Sequence, residues 1–240
     1  MKPLILSFLS SIFSMLGYIP IIFNIKREGV DKLIVTSLSL TSFVMLYISI
    51  TELLIEGISL VNNILVSIIC YLTGLLIMYI LKKITFNKVG GSSLKTVGIL
   101  SFICMISHNI PEGIISYITC DYDIKLGIKI ITSIMIHNIS EGISVAVPIY
   151  YATLSKTKSL IYTIFASMAE FFGALLAFFI FKDYIYNYII GYLLLMVSGI
   201  MTGLVLFSLL KELSLYKYPF YKYLGIFIGC TIVILQFLIS

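Results

Sequence analysis

Apolar stretches of membrane-spanning length follow one another along the chain, and short segments with charges, glycine or proline separate them. A helix needs about 20 mostly apolar residues to cross roughly 30 Å of hydrocarbon. The pattern predicts eight such helices, at 4–25, 33–57, 61–81, 94–118, 125–149, 159–181, 185–210 and 220–239. The first stretch lacks a small-residue cleavage site, so we interpret it as a span rather than a signal peptide. We therefore expect an all-α polytopic membrane protein with a single transmembrane domain, residues 1–240.

The composition argues against a soluble fold. Hydrophobic residues make up 60% of the chain and charged residues 11%, and the mean hydropathy is +1.11. Soluble domains carry about 25% charged residues, so we expect a multi-pass protein of the cell membrane, inner or plasma, with the lipid bilayer as its surroundings. The four cysteines form no CxxC pair, and we expect them to be small packing residues.

The cations are distributed unevenly between the two sides of the predicted bundle. Loops after spans 1, 3, 5 and 7 hold twelve of the lysines and arginines, and the opposite side, with the N-terminus, holds four. Because Lys and Arg are retained on the cytoplasmic side, this asymmetry places the N- and C-termini outside. The net charge of +5 is thus a topology signal, and the absence of a clustered basic soluble face argues against nucleic acid as a partner.

Two histidines, the only ones in the chain, fall near the centres of spans 4 and 5. His108 is followed four residues later by Glu112, and His137 is followed four residues later by Glu141. Residues four apart lie one turn apart on the same face of a helix. A charge at mid-bilayer costs at least about 2.5–3.5 kcal/mol, so each demands a partner or a function. The alternative, that each histidine is a structural hydrogen-bond donor, leaves the repeated acid unexplained.

The repeat extends beyond these pairs, since residues 106–114 parallel residues 136–143. Asn109 and Asn138 add carbonyl oxygens one step around each helix. Imidazole nitrogen and carboxylate oxygen suit Zn²⁺, Fe²⁺ and other first-row divalent ions. Two facing helices of this kind could hold one ion between the His/Glu faces and a second between the Asn/Glu faces.

Other features of the sequence extend this candidate site. Pro111 has no N–H and so frees the carbonyl of Ser107 one turn earlier. Glu170, in the middle of span 6, is expected to complete the metal site, with a bond to a polar backbone group as the alternative. Glu52 and Glu56, near the outer end of span 2, are interpreted as a pathway element or as a solvated helix end. Ser107 and Ser140 are further candidate pathway residues.

An acidic pair, Asp121 and Asp123, lies in the predicted outer loop between spans 4 and 5. Carboxylates there could collect cations, but short aspartate-rich segments are also typical of solvated turns. We expect a solvated turn.

The helix with His-Asn-Ile-Pro-Glu-Gly at 108–113, followed by one with His-Asn-Ile-Ser-Glu-Gly at 137–142, resembles the ZIP (Zrt/Irt-like protein) family of divalent metal transporters. Its bacterial zinc-uptake branch is the most similar. Segments 49–54, 169–174 and 198–203 support the resemblance. The resemblance implies a 3+2+3 arrangement of eight helices with inverted repeats, homodimers, and import of metal toward the cytoplasm by movement of a helix bundle.

The resemblance also implies a binuclear centre between spans 4 and 5. One position would use His108, Glu112, His137 and Glu141. The second would use Asn109, Asn138 and Glu170 and share the two glutamates of the first.

The chain departs from the family's pattern at three places. Ser140 stands where this branch often has proline, so span 5 should kink less and gains a hydroxyl near the site. Phe171 replaces a proline that often follows the span 6 acid. The loop from Lys82 to Lys95 has no histidine, which argues against metal sensing by that loop.

Two hypotheses for function follow. The first is a secondary importer, not an enzyme, that moves zinc, or else iron, manganese, cobalt or cadmium, as its substrate, without ATP or an organic cofactor; the chain has no Walker A sequence. The second is an intramembrane metal-dependent hydrolase using the same His/Glu set to activate water. The sequence favours the importer because it contains no HExxH and no group to polarise a substrate.

Overall fold

The computed structural model describes residues 2–23, 27–89, 93–122, 124–181 and 187–239, and every element in these ranges is helical. Eight helical rods result, three of which contain a wider π-helical segment. They are α1 (Lys2–Ile22), α2 (Arg27–Ile48, the π-helical Ser49–Leu54, and Ile55–Val61), α3 (Ile64–Val89), α4 (Ser93–Tyr122), α5 (Ile124–Thr153), α6 (Lys156–Leu176 and the π-helical Ala177–Phe181), α7 (Asn187–Leu204, the π-helical Val205–Leu209, and Leu210–Ser214) and α8 (Pro219–Ile239).

The eight predicted helices are confirmed, but several of them extend beyond the predicted apolar stretches. Helix α3 passes through Lys82 and Lys83, where the sequence predicted a break. Lysine is a good helix former, and cations near a helix C-terminus interact favourably with its dipole. The helix therefore continues after the apolar stretch has ended. Helix α2 ends at Asn62, whose φ of 50° is a left-handed conformation that asparagine tolerates.

Seven of the eight helices are long and apolar enough to cross a membrane when the described residues are considered. Helix α5 is not among the seven, and it is the helix that carries the second His-Asn motif. It packs against α1, α2, α4, α6 and α8, so neighbouring helices surround it. In each of α3 and α8, only 17% of the most apolar 18-residue stretch is buried, which places these two helices at the periphery.

The helix contacts divide the bundle into two groups of four. Helices α1, α4, α5 and α6 pack on one another and form the α4/α5 group, while α2, α3, α7 and α8 form the α2/α7 group. The largest hydrophobic core lies mainly in the α2/α7 group, with Leu38, Met45, Met201 and Leu204 fully or almost fully buried. Contacts of α2 with α5 and of α4 with α7 connect the two groups.

Glycine allows the close approach of helices inside the α4/α5 group. A Cβ at Gly142 of α5 would overlap the backbone carbonyl of Ser14 in α1, and a Cβ at Gly113 of α4 would overlap the backbone carbonyl of Glu170 in α6. Small residues let membrane helices approach until their backbones touch. These contacts hold α1 and α6 tightly against the two motif-bearing helices.

The four cysteines are all free, and Cys104 and Cys120 are buried. Cys70 and Cys230 are half-buried, and the packing role of the four cysteines stays a prediction.

Candidate metal site

The two His-Asn motifs meet in the interior of the bundle because α4 and α5 run side by side. The side chains of His108, His137 and Glu141 are at most 2% exposed, and Glu112 is 6% exposed. Charged residues are almost never buried to this extent unless they are paired or bind a metal. The contacts of these side chains therefore decide what the site can do.

The histidine and glutamate side chains pair across the two helices. His108 Nε2 of α4 lies 2.8 Å from Glu141 Oε2 of α5, and His137 Nε2 of α5 lies 3.6 Å from Glu112 Oε1 of α4. The sequence placed each histidine near the glutamate of its own helix. The structure adds the crossed pairs, and ligand atoms of His108, Glu112 and Glu141 all lie within 4.8 Å of one another. One nitrogen and two carboxylate oxygens thus converge on a common point.

His108 is oriented by the turn that precedes it. Its Nδ1 lies 2.9 Å from the backbone carbonyl oxygen of Cys104. A carbonyl can only accept, so Nδ1 carries the hydrogen and donates it. In the neutral ring this leaves the lone pair of Nε2 free for a metal ion, which is how a metal-binding histidine is usually held. Without an ion, the 2.8 Å contact with Glu141 Oε2 needs a proton on one of the two atoms. The sequence analysis missed this role of Cys104, although a residue four positions earlier is a natural place to look.

Several polar atoms around this point are buried and have no hydrogen-bond partner among the described residues. They are Asn109 Oδ1, Glu112 Oε2, His137 Nδ1, Asn138 Oδ1, Glu141 Oε1 and Glu170 Oε1. Leaving a buried polar group unpaired costs about 1–3 kcal/mol, and more when the group is charged. All but one are oxygen acceptors, so a cation would satisfy them together.

Glu170 of α6 joins this cluster through Asn138. Asn138 Nδ2 donates to Glu170 Oε2 at 2.8 Å and approaches Ser10 Oγ of α1 at 3.4 Å. Asn109 Nδ2 donates to the backbone carbonyl of Ala166 at 3.4 Å. Both amide groups thus use their N–H donors within the protein, and their carbonyl oxygens have no hydrogen-bond partner among the described residues.

Ser10 is a contact that the sequence analysis missed. It belongs to a set of buried serines on one side of α1, and its hydroxyl accepts from Asn138 Nδ2 at 3.4 Å. The set consists of Ser7, Ser10, Ser11 and Ser14. Spacings of three and four residues place these hydroxyls on one helix face. That spacing was the available signal.

A cavity of about 560 Å³, here called the vestibule, reaches one residue of each His-Asn motif. Glu52 and Glu56 of α2 line it together with Glu112 and His137. Glu52 is half-buried and Glu56 is exposed. The structure therefore brings the predicted pathway residues of span 2 to the same cavity as two of the predicted ligands.

The two predicted pathway serines do not line the vestibule. Ser107 Oγ donates to the carbonyl of Ile103, and Ser140 Oγ donates to the carbonyl of His137, each at 2.8 Å. A serine hydroxyl inside a helix commonly donates to a carbonyl of the preceding turn in this way. Asp121 has a polar or electrostatic partner, and Asp123 lies outside the described residues.

Fold and site together define a class of protein, a helical membrane protein with a buried nitrogen and oxygen donor set reached through a cavity. The model of the family "ZIP Zinc transporter" matches residues 86–236, and the chain belongs to this family. It falls in the branch of ZupT-like proteins.

The relatives agree with this placement. The zinc transporter ZupT of Streptococcus mutans is 28% identical over 223 residues, covering 85% of this chain and 84% of the relative. ZupT of Salmonella arizonae is 32% identical over 149 residues, covering 60% and 58%. The protein zntB of Dictyostelium discoideum is 34% identical over 125 residues, 52% of this chain and 33% of that protein. The chain is accordingly a transporter and not an enzyme, and the hydrolase hypothesis is not favoured.

Proposed function

We propose that the protein imports a divalent transition-metal ion across the cell membrane into the cytoplasm, with zinc as the main substrate. The observation that carries this proposal is the convergence of His108, Glu112 and Glu141 ligand atoms within 4.8 Å in the interior of a membrane bundle. Nitrogen and oxygen donors of this kind also accept iron, manganese, cobalt and cadmium. No organic cofactor is part of the proposal.

The site is proposed to be binuclear. The first position takes the crossed pairs of His108 with Glu141 and His137 with Glu112. The second takes the unpaired oxygens of Asn109, Asn138 and Glu170 and shares the two glutamates. Support for the second position comes from the amide N–H groups, which are already bonded and leave oxygen as the available donor.

The proposed route begins at the vestibule. An ion enters past Glu52 and Glu56, loses part of its hydration shell, and exchanges the remaining waters for His137, Glu112 and their partners. It leaves on the cytoplasmic side when the α4/α5 group, which contains every proposed ligand, changes its position. A concentration gradient suffices as the driving force. We further propose one domain over residues 1–240, a 3+2+3 order with inverted repeats, and a homodimer.

Uptake into proteoliposomes loaded with a metal-sensitive dye tests the function. We expect zinc uptake by the wild type and its loss in His108→Ala and in Glu141→Ala. Glu212→Gln is the matched control, because Glu212 is also a buried acid, 4% exposed, but lines a separate cavity. Uptake that is equal in the wild type and both site variants would refute the site. Absence of uptake for zinc, iron, manganese, cobalt and cadmium alike would refute the function.

The direction of transport depends on the topology that the cations predict. In a cysteine-free background, a cysteine at Asn63 between α2 and α3 should be labelled from outside by an impermeant thiol reagent. A cysteine at Leu154, 78% exposed between α5 and α6, should react only after permeabilisation. The opposite labelling pattern would reverse the proposed orientation.

A further inference from the structure

Gln236 is a buried polar residue on a helix that otherwise faces outward. It is 3% exposed, whereas its neighbours Leu235 and Phe237 are 48% and 75% exposed. Helix α8 packs against α2 and α5. An amide placed inside a membrane bundle costs free energy unless it is hydrogen-bonded. The partner of this amide therefore indicates why glutamine occupies the position.

The partner is a vestibule residue. Gln236 Nε2 donates to Glu52 Oε1 across the α8–α2 contact. Gln236 Oε1 has no hydrogen-bond partner in the part of the chain that the structure describes. The amide thus binds one oxygen of the Glu52 carboxylate and leaves the second oxygen of that carboxylate for the vestibule.

The helical segment that carries Glu52 is bonded to α7 at its first residue, Ser49. Glu52 belongs to the π-helical segment Ser49–Leu54, and Ser49 Oγ donates to the carbonyl of Ser198 at 2.8 Å and bonds Thr202 Oγ1 at 2.7 Å. A π-helical turn contains one extra residue and shifts the direction of the side chains that follow. Because its helical segment is bonded to α7 through Ser49 and its carboxylate is bonded to Gln236 of α8, Glu52 has a defined direction.

The direction of the Glu52 carboxylate matters because two proposed metal ligands line the same vestibule. Glu112 and His137 line the same cavity as Glu52 and lie within electrostatic range of it. Glu52 and Gln236 belong to the α2/α7 group, while Glu112 and His137 belong to the α4/α5 group. A cation crossing the vestibule meets the Glu52 carboxylate on one wall and the first metal position on the other.

We propose that Gln236 is a positioning residue that orients the Glu52 carboxylate toward the vestibule, so that the carboxylate binds the incoming divalent cation before it reaches Glu112 and His137. This inference rests on the proposed function as a metal transporter. The fixed carboxylate acts on capture of the ion and not on its later passage through the bundle. Loss of this capture step should raise KM more than it lowers the maximal rate, because a saturating zinc concentration compensates for weak capture.

The test is zinc uptake by proteoliposomes containing Gln236→Met, Glu52→Gln and the double variant. Methionine has nearly the length of glutamine but no N–H. We expect KM for zinc to rise about tenfold in Gln236→Met, the factor expected for losing one hydrogen bond to a charged group, with the maximal rate within twofold of the wild type. Glu52→Gln should raise KM at least as much. The double variant should match Glu52→Gln, because Gln236 acts only through that carboxylate.

Leu235→Met on the same helix is the control for the substitution itself and should leave KM unchanged. A Gln236→Met variant that lowers the maximal rate and the melting temperature but keeps KM would show a purely structural clamp and overturn the inference. Multiplying effects in the double variant would overturn it as well. If the wild type takes up no metal, the proposed function fails and this inference fails with it. If instead Gln236→Met keeps its KM, or the effects multiply in the double variant, only the inference fails and the proposed function stands.

Discussion

Replacing Glu141 by glutamine removes a proposed ligand charge while keeping the shape of the site. The Glu141 carboxylate is fully buried and lies 2.8 Å from His108 Nε2. Because His108 Nδ1 donates to the carbonyl of Cys104, the neutral ring offers a lone pair at Nε2. A glutamine N–H can donate to that lone pair. We therefore expect Glu141→Gln to fold and to keep a hydrogen bond where the wild type has a His/Glu pair.

The size of the effect on zinc binding follows from linkage. At a zinc concentration 100 times Kd, bound zinc adds about 2.7 kcal/mol to the free energy of unfolding. Loss of a partner that only orients a ligand weakens metal binding by about 10–100-fold, so loss of the ligand itself should weaken it at least 100-fold. At the same zinc concentration the variant then stands near its own Kd, and zinc adds only about 0.4 kcal/mol. The zinc-dependent stabilisation should fall by about 2.3 kcal/mol.

Thermal unfolding in detergent, followed by tyrosine fluorescence, measures this difference. The chain has 17 tyrosines and no tryptophan, so the signal comes from tyrosine alone. The wild type and Glu212→Gln should both show a zinc-dependent rise in Tm, and Glu141→Gln should show little or none. A Glu141→Gln variant with the full zinc-dependent rise would refute the assignment of Glu141 as a ligand. Loss of the rise in Glu212→Gln would show that any buried acid has the same effect.

Two further predictions concern packing and pH. Gly142→Ala should sharply lower the yield of folded protein, measured by size-exclusion chromatography, because the new Cβ would overlap the Ser14 backbone. Gly229→Ala should be tolerated, because its nearest contact is the side chain of Phe43 at 3.0 Å. Equal yields for the two variants would contradict this prediction. Burial and the neighbouring Glu212 carboxylate raise the pKa of Tyr216 to about 12. The folded state thus holds the Tyr216 proton more tightly than the unfolded state does. The stabilisation that results from this difference should be complete below about pH 10 and disappear as pH rises toward 12. In alkaline denaturation, Tyr216→Phe should lack this part of the pH dependence, and an unchanged profile would contradict the assignment.

The sequence predicts the helices well and their contacts poorly. Each of the eight apolar stretches corresponds to a helix, because a membrane permits few other ways to satisfy the backbone. The predicted neighbours His108 and Glu112 lie on one helix, as their spacing requires. The 2.8 Å contact of His108, however, is with Glu141 on α5. Sequence spacing determines which residues share a face, and only the packing of α4 on α5 determines what that face meets.

The residues that the sequence analysis missed have partners far away in the chain. Ser10 stands in a row of serines on α1 and Gln236 is an isolated amide in α8, and their partners Asn138 and Glu52 are 128 and 184 residues away. Nothing local distinguishes such a serine or glutamine from one that bonds its own helix, as Ser107 does. The π-helical segment around Glu52 is equally hidden, since its bonds to α7 depend on tertiary contacts.

The proposed ligands all lie in one helix group, whereas the vestibule is lined by residues of both groups. Every proposed ligand, from Asn109 on α4 to Glu170 on α6, lies in the α4/α5 group, where glycine contacts join the helices backbone to backbone. Glu52 lies in the other group, and contacts between the groups include the hydroxyl of Thr41, which donates to the Ser140 carbonyl at 3.2 Å. A shift of one group against the other would therefore keep the ligand set intact and change its distance from Glu52. The proposed capture at Glu52 and the proposed binding at the two motifs can thus be separated by a motion that breaks no bond within the ligand set.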